Sequence, residues 1–181
     1  MKLRTGTAVI LLIVLVVFAV GLGAYRGWSQ ERTRVEETYA GLENMLHTRV
    51  EAAYNLLAVA GRHLDQADEE VKAAARRVEA DRDILEGAAA LRRKAAANEA
   101  LTEDTKQLLS GLSGMASVKA YGNDQWYVDS YLPQMMEQSE EKTARANYNT
   151  AAAEFNKKLN STFSGMIARV LGIRPAEVFA D

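Results

Sequence analysis

The polar residues whose spacing most suggests recognition chemistry lie in the segment 145–160. Four of them follow one another at intervals of four, seven and four residues, so a helix places them on one stripe: Arg145, Asn149, Asn156 and Asn160. Asn is a mediocre helix former, so several on one face need a physical reason. Two interpretations are open: a polar seam that sets the register between helices, or a recognition strip for a partner or a peptide. The candidate binding residues here are Arg145, Tyr148, Asn149, Phe155 and Asn156.

Aromatic residues form a second candidate site, just after a turn-rich cluster at residues 121–124. Trp126, Tyr127 and Tyr131 lie close together in the sequence. They are interpreted either as a cap on the end of a helical bundle or as an exposed patch for a partner. In the second interpretation, Trp126 and Tyr127 are the candidate binding residues.

No pattern in the chain predicts catalysis or metal binding. His47 and His63 are sixteen residues apart and do not form a pair one helical turn apart, so both are expected on helix surfaces. The acidic run at residues 65–70 lacks the glycine and the spacing of a calcium loop, and a helix start explains it. No nucleophile beside a base, convergent carboxylate pair or glycine-rich phosphate loop is recognisable. We therefore expect no catalytic residue, no cofactor and no metal site. We also expect that the protein is not an enzyme.

Composition limits the kinds of partner. The 181 residues carry a net charge of -2, which gives no strong attraction to nucleic acid. The absence of cysteine excludes disulfides and cysteine-ligated metals. Proline is scarce, and Ala, Glu, Lys, Arg and Leu are abundant, which is typical of long helices.

Apolar periodicity predicts the helices that position these residues. A first long helix is predicted over residues 35–64, and a second over residues 68–118 with a bend at residues 87–90. A third is expected over residues 125–163, and a short last helix ends at Gly172 in a left-handed cap. The predicted fold class is all-α: an N-terminal transmembrane helix, then an antiparallel bundle of three long helices plus a short C-terminal helix.

The N-terminal residues predict membrane attachment. Residues 5–25 contain no charge, and an apolar helix needs about 20 residues to cross the hydrocarbon core of a bilayer. A cleaved signal peptide is the alternative, but the apolar run is longer than a usual signal core. We divide the chain into a tail of residues 1–4, an anchor of residues 5–25 and a helical body of residues 26–181. Tyr25 and Trp28 are expected at the membrane–water boundary.

Two segments resemble the LemA family. Arg49 followed by Asn55-Leu56-Leu57 resembles the motif of the family's first helix. The C-terminal signature is matched by Arg145, Tyr148-Asn149, Phe155-Asn156, Phe163, Ile167-Ala168, Leu171-Gly172-Ile173 and Phe179. The resemblance implies a bacterial, membrane-anchored α-helical protein with no established enzymatic activity, and it adds Asn55 to the candidate binding residues.

Location and function follow as expectations. The basic residues on the two sides of the anchor are nearly balanced, with a slight preference for a cytoplasmic N-terminus. We expect a single-pass protein of the bacterial inner membrane, with its body on the extracytoplasmic side. The favoured function is a non-enzymatic scaffold or adaptor that binds membrane lipid through residues 5–25 and other membrane or envelope proteins through its body. Homo-oligomerisation is open, and no nucleic-acid partner is expected. The alternative function is a ligand-sensing helical bundle that signals through a membrane partner.

Overall fold

The N-terminal helix provides the long axis of the molecule. The structure, a computed structural model, describes residues 5–179 and, within them, every side chain except those of residues 5–9 and 17. Helix α1, Thr5–Gly61, has 57 residues, which makes it about 85 Å long. It joins the predicted anchor to the first helix of the body without interruption. Its N-terminal part is the one described stretch long and apolar enough to cross a membrane. The predicted tail, residues 1–4, lies outside the described residues.

Shorter helices follow α1 and pack along it. They are α2 (Glu69–Glu86), α3 (Leu91–Gly114), α4 (Ala116–Ala120), α5 (Gly122–Trp126), α6 (Leu132–Ser139), α7 (Lys142–Ser161) and α8 (Phe163–Val170), with a 3-10 turn at Leu64–Gln66 and a π-helical turn at Tyr127–Tyr131. No strand occurs between residues 5 and 179, which confirms the all-α prediction.

Helices that pack side by side in this bundle run antiparallel to each other. α2 packs against both α1 and α3, while α6 and α7 pack against α1. An ion pair of 2.6 Å between Arg77 Nε and Asp104 Oδ1 links α2 to α3. A second, of 3.4 Å between Lys158 Nζ and Glu31 Oε2, joins the end of α7 to the part of α1 just beyond the anchor.

The expected second helix is two helices that fold back on each other, so the bundle has, within residues 5–179, four long helices (α1, α2, α3 and α7) instead of three. α2 ends at Glu86, the N–H of the following Gly87 donates to the carbonyl of Asp83 at 2.9 Å, and α3 begins at Leu91. The apolar positions explain the reversal. Leu85 and Leu101 are both buried, but their separation of sixteen positions is about 4.4 helical turns, so a continuous helix would point them to opposite sides. The reversal lets both leucines enter one core.

The expected third helix is also interrupted. Pro133 stands in the first turn of α6 and has no N–H to donate, and the turn before it, Tyr127–Tyr131, is π-helical. α6 ends where two side chains donate hydrogen bonds to the carbonyl of Met136. The oxygen of Met136 accepts from Ser139 Oγ at 2.7 Å and from Arg49 Nη1 at 3.4 Å.

A glycine ends α8 and redirects the chain. Gly172 has a φ of +93°, the left-handed conformation predicted for it. Its N–H donates to the carbonyl of Arg169 at 3.1 Å, and the N–H of Ile173 donates to the carbonyl of Ala168 at 3.0 Å. These paired bonds form a Schellman motif. The residues that follow, 173–179, form a non-helical stretch that we call the C-terminal segment.

Trp28, which the sequence predicts at the membrane–water boundary, packs its side chain into the core of the bundle. Its side chain is 8% exposed, and its ring packs edge-on against Phe155 with a centroid distance of 5.8 Å. The reason is that α7 extends along α1 as far as this residue. The exposed Tyr25 is three residues away, so the bundle begins directly beside the anchor.

The α2–α3 packing makes Gly111 a sensitive position. A Cβ there would lie 2.5 Å from Cγ2 of the buried, β-branched Val71, whereas a Cβ at Gly114 would meet nothing within 4 Å. We expect Gly111→Ala to lower the melting temperature, because the clash outweighs the gain of about 1 kcal/mol in helix propensity. Gly114→Ala, the matched control, should keep or raise it. Circular dichroism of the full-length protein in detergent measures both, and equal stabilisation by the two changes would contradict this close packing.

Asp81 of α2 is a carboxyl group whose proton affinity depends on folding. Burial, followed by the charge of Asp104 and a hydrogen bond with it, raises the pKa of Asp81 from 3.8 to about 6, against the opposing effect of Arg77. The folded protein therefore holds this proton more tightly than the unfolded chain does. The resulting stabilisation is complete below the unfolded pKa and is lost as the pH rises through about 6.

We expect Asp81→Asn to stabilise the protein at pH 8, where the wild type holds an ionised carboxylate, and to change little at pH 4. The expected gain is roughly 1 kcal/mol, because solvent screening at this partly exposed site reduces the effect of the shift. Asp83→Asn, the control, removes an exposed carboxylate that bonds Arg82 and should give no such gain. Melting temperatures at the two pH values test this, and a gain that does not depend on pH would contradict it.

Candidate functional site

Two asparagines of the predicted stripe hold the C-terminal segment against α7. Asn156 Nδ2 donates to the carbonyl of Ala176, and the N–H of Ala176 donates to Asn156 Oδ1, both at 2.8 Å. Asn149 makes the same pair of bonds with Phe179, at 2.8 and 2.9 Å. Each amide thus satisfies backbone groups that have no helical partner. The stripe binds a peptide, and that peptide belongs to the same chain.

Tyr148 and Arg145 contact the same segment. The Tyr148 hydroxyl donates to the carbonyl of Glu177 at 2.5 Å, and burial raises the pKa of this tyrosine. The Arg145 guanidinium lies 5.8 Å from the ring centroid of Phe179, whose side chain is fully buried. Arg145 Nη2 also bonds Glu99 Oε1 of α3 at 2.8 Å. The stripe therefore connects α7, the C-terminal segment and α3.

The remaining predicted residues are placed elsewhere. Phe155 is buried in the core. Asn160, the last member of the stripe, accepts a bond of 3.2 Å from Arg169 of α8. Asn55 is exposed on α1, where its Nδ2 donates to the carbonyl of Glu51 at 3.0 Å. The structure does not bring Asn55 together with the stripe.

Arg49 is a buried cation that the sequence analysis did not select as a site residue. Its side chain is 1% exposed. Its Nη2 donates to the carbonyl of Asn98 at 3.2 Å and to Thr102 Oγ1 at 2.7 Å, and its Nη1 reaches the carbonyl of Met136 in α6. Burial lowers the pKa of Arg49. A signal was available, because Arg49 comes three residues after the buried Leu46 and so lies on the apolar face of α1.

A cavity of about 340 Å³ adjoins Arg49 between α1, α3 and α6. Its lining mixes charges of both signs, including Glu137, Glu140 and Lys142. Within the described residues, Arg49 Nε and Thr105 Oγ1 are buried without a hydrogen-bond partner. The other two nitrogens of the guanidinium already bond oxygen atoms of the protein, so this arginine acts first as a link between three helices.

The aromatic residues at the other candidate site form an exposed cluster. We call Trp126, Tyr127 and Tyr131 the aromatic patch; their ring centroids lie 5.2 to 5.5 Å apart. Their exposed fractions are 55%, 36% and 43%, respectively. The sequence left two interpretations of these residues open, a cap on the bundle end or an exposed patch. The structure shows the rings exposed, because they pack on one another and not on the core.

The aromatic patch lies near the end of α1 farthest from the anchor. Asp124, two residues before the patch, bonds His63 Nε2 at 3.0 Å and Arg62 Nη1 at 2.7 Å. His63 is 2% exposed, so its predicted surface position is wrong, because α5 covers the end of α1. His47 is exposed, as expected. About 55 Å of helix separates Tyr25 from Arg62.

We expect Asn156→Ala to release the C-terminal segment, because both backbone groups of Ala176 lose their partner. The cost should be about 1–3 kcal/mol. Asn147→Ala is the control, since Asn147 is exposed on the same helix. Hydrogen exchange followed by mass spectrometry should show faster exchange in the peptide 173–179 for Asn156→Ala alone. Unchanged exchange there would show that the asparagine does not hold the segment.

The comparisons with known proteins concern the body of the molecule. Residues 38–181 match the sequence model of the LemA family. The match starts within α1, beyond the anchor, and includes Arg49, Asn55, the stripe of α7 and the C-terminal segment. No curated protein and no solved structure matches the chain significantly. Because the match covers most of the chain and includes the residues that carry the resemblance, the chain belongs to the LemA family.

Proposed function

We propose that this protein is a non-enzymatic, membrane-tethered scaffold or adaptor that binds another membrane or envelope protein through the aromatic patch. The observation that carries the proposal is the exposure of three large rings at one point of the surface. Trp and Tyr are enriched among the residues that dominate the energy of protein–protein interfaces. An exposed cluster of them is therefore a favourable docking point.

The backbone below the patch is well supported, which favours a preformed docking surface. Asp124 is tied to the end of α1 by Arg62 and His63. Asp129, within the π-helical turn, accepts from Ser113 Oγ of α3 at 2.6 Å. A partner would not have to order this surface on binding, so less of the interaction energy would be lost.

The length of α1 supports a role in connecting the membrane to a protein partner at a distance from it. Its apolar N-terminal part can cross a bilayer, and its other end carries the patch about 55 Å from Tyr25. The proposed location is the bacterial inner membrane, with the body on the extracytoplasmic side. Attachment at one end and protein binding at the other is the arrangement that a scaffold or adaptor needs.

The alternative, a ligand-sensing bundle, has weaker support. The cavity beside Arg49 is its candidate site. However, Arg49 already bonds the carbonyl groups of Asn98 and Met136 and the hydroxyl of Thr102. An anionic ligand would have to compete with these internal bonds.

A double change in the patch tests the proposal. We expect the wild-type protein to migrate in a larger complex on native gels of mild-detergent membrane extracts, and Trp126→Ala with Tyr131→Ala to abolish that complex. Both side chains are well exposed, so the melting temperature should change little. Tyr54→Ala is the matched control, because Tyr54 is a similarly exposed aromatic residue on α1, outside the patch.

Photo-crosslinking identifies what the patch contacts. A benzoylphenylalanine at position 127 should crosslink to one defined protein in intact cells, and the same residue at position 54 should not. A crosslink to a second copy of this chain would mean that the patch mediates homo-oligomerisation. A wild-type protein that migrates as a lone protomer and forms no crosslink would overturn the proposal.

A further inference from the structure

Helix α8 presents an apolar face to its surroundings. Four large apolar side chains on the helix or directly after it are exposed. Their exposed fractions are 88% for Val170, 74% for Phe163, 55% for Met166 and 43% for Leu171. The opposite face holds the small residues Gly165 and Ala168, which are buried against the bundle. Thus α8 packs on the body through its small residues and directs its large ones outward.

The exposed face of α8 lies beside the apolar part of α1. A groove of about 750 Å³ runs between the two helices, with Phe163, Ile167 and Leu171 on one side. On the α1 side, the lining extends from Val16 to Tyr25, which is about 14 Å along the helix. α8 is therefore level with the last part of the predicted anchor.

This position makes lipid the matching environment. Burying apolar surface gains roughly 25 cal/mol per Å², so four exposed side chains of this size are unfavourable in water. If residues 5–25 cross the hydrocarbon core, the groove and the outward face of α8 lie at the depth of the adjacent leaflet. The apolar surface of the anchor and that of α8 are then one continuous surface.

We infer that α8 is embedded in the leaflet next to the body, with its outward face and the groove filled by phospholipid acyl chains. This inference rests on the membrane anchoring proposed above. It means that the protein contacts the bilayer in two ways: α1 crosses it, and α8 lies in its interfacial layer. The body is then seated on the membrane surface and not suspended from a flexible stem.

The polar residues around α8 fit the headgroup layer. Thr162 caps the start of the helix, where its Oγ1 accepts from the N–H of Gly165 at 3.0 Å. Arg169 is exposed on the flank of the apolar face and bonds Asn160 Oδ1 at 3.2 Å. Arg26 is exposed directly after Tyr25. Both arginines can reach lipid phosphates from the membrane boundary.

The stripe of α7 helps to hold α8 in place. The Schellman motif at Gly172 turns the chain from α8 into the C-terminal segment, which Asn149 and Asn156 hold against α7. α8 is thus fastened to the bundle on both sides in the sequence. A helix held in this way fixes the tilt of the bundle relative to the membrane plane.

Single cysteines test the inference, since the native chain has none. Full-length Val170→Cys, Ile13→Cys and Tyr121→Cys are labelled with the fluorophore NBD and reconstituted into phosphatidylethanolamine–phosphatidylglycerol vesicles. Ile13 lies in the anchor, and Tyr121 is exposed near the aromatic patch. Quenching by lipids brominated on the acyl chain reports contact with hydrocarbon, and quenching by iodide reports contact with water.

We expect the label at position 170 to lose most of its emission to brominated lipid and to resist iodide, as the label at position 13 does. The label at position 121 should show the reverse. If position 13 is quenched by lipid but position 170 behaves like position 121, α8 lies in water, and this inference is overturned while the anchor stands. If neither position is quenched by lipid, the anchoring and this inference both fail.

Discussion

The packing of the bundle against a single continuous helix is the constraint on which the other features depend. Beyond the anchor, α1 carries an apolar stripe too long for any one helix of the body to cover, and α2, α6 and α7 each cover a part of it. Helices gain most of their stability from the burial of such a face. The same helix fixes the distance between the two ends of the molecule, because α7 reaches Trp28 near the anchor and α5 reaches His63 at the far end.

Covering a long helix with short ones creates chain breaks, and the backbone groups at those breaks need partners. Polar side chains supply some of them. The carbonyl of Met136, in the last turn of α6, accepts a hydrogen bond from Arg49 of α1. Asn149 and Asn156 pair with the backbone of the C-terminal segment, which has no neighbouring strand. The residues that first suggest recognition by a partner therefore serve recognition within the chain.

The two ends of the molecule differ in the surface that they expose. The far end shows aromatic rings with polar edges, a surface suited to a protein partner. The end beside the anchor shows aliphatic side chains and Phe163, a surface suited to lipid. Together these surfaces favour a protein that positions a partner at a set distance from the membrane, which is the reasoning behind the proposed scaffold function.

Features that depend on neighbouring residues could be predicted from the sequence alone. These include the all-α class, the start of α2 at Asp68, whose Oδ1 accepts from the N–H of Val71 at 2.9 Å, and the left-handed cap at Gly172. The helical stripe of Arg145, Asn149 and Asn156 was also recognisable, because its spacing is local.

The packing of distant segments decided what that stripe binds, that the predicted second helix folds back, and that Trp28 is buried while Trp126 is exposed. It also decided the role of Arg49, whose partner Met136 is 87 residues away. The physical reason is that hydrogen-bond partners and burial are set by which distant segments pack together, and the residues next to a side chain do not encode them.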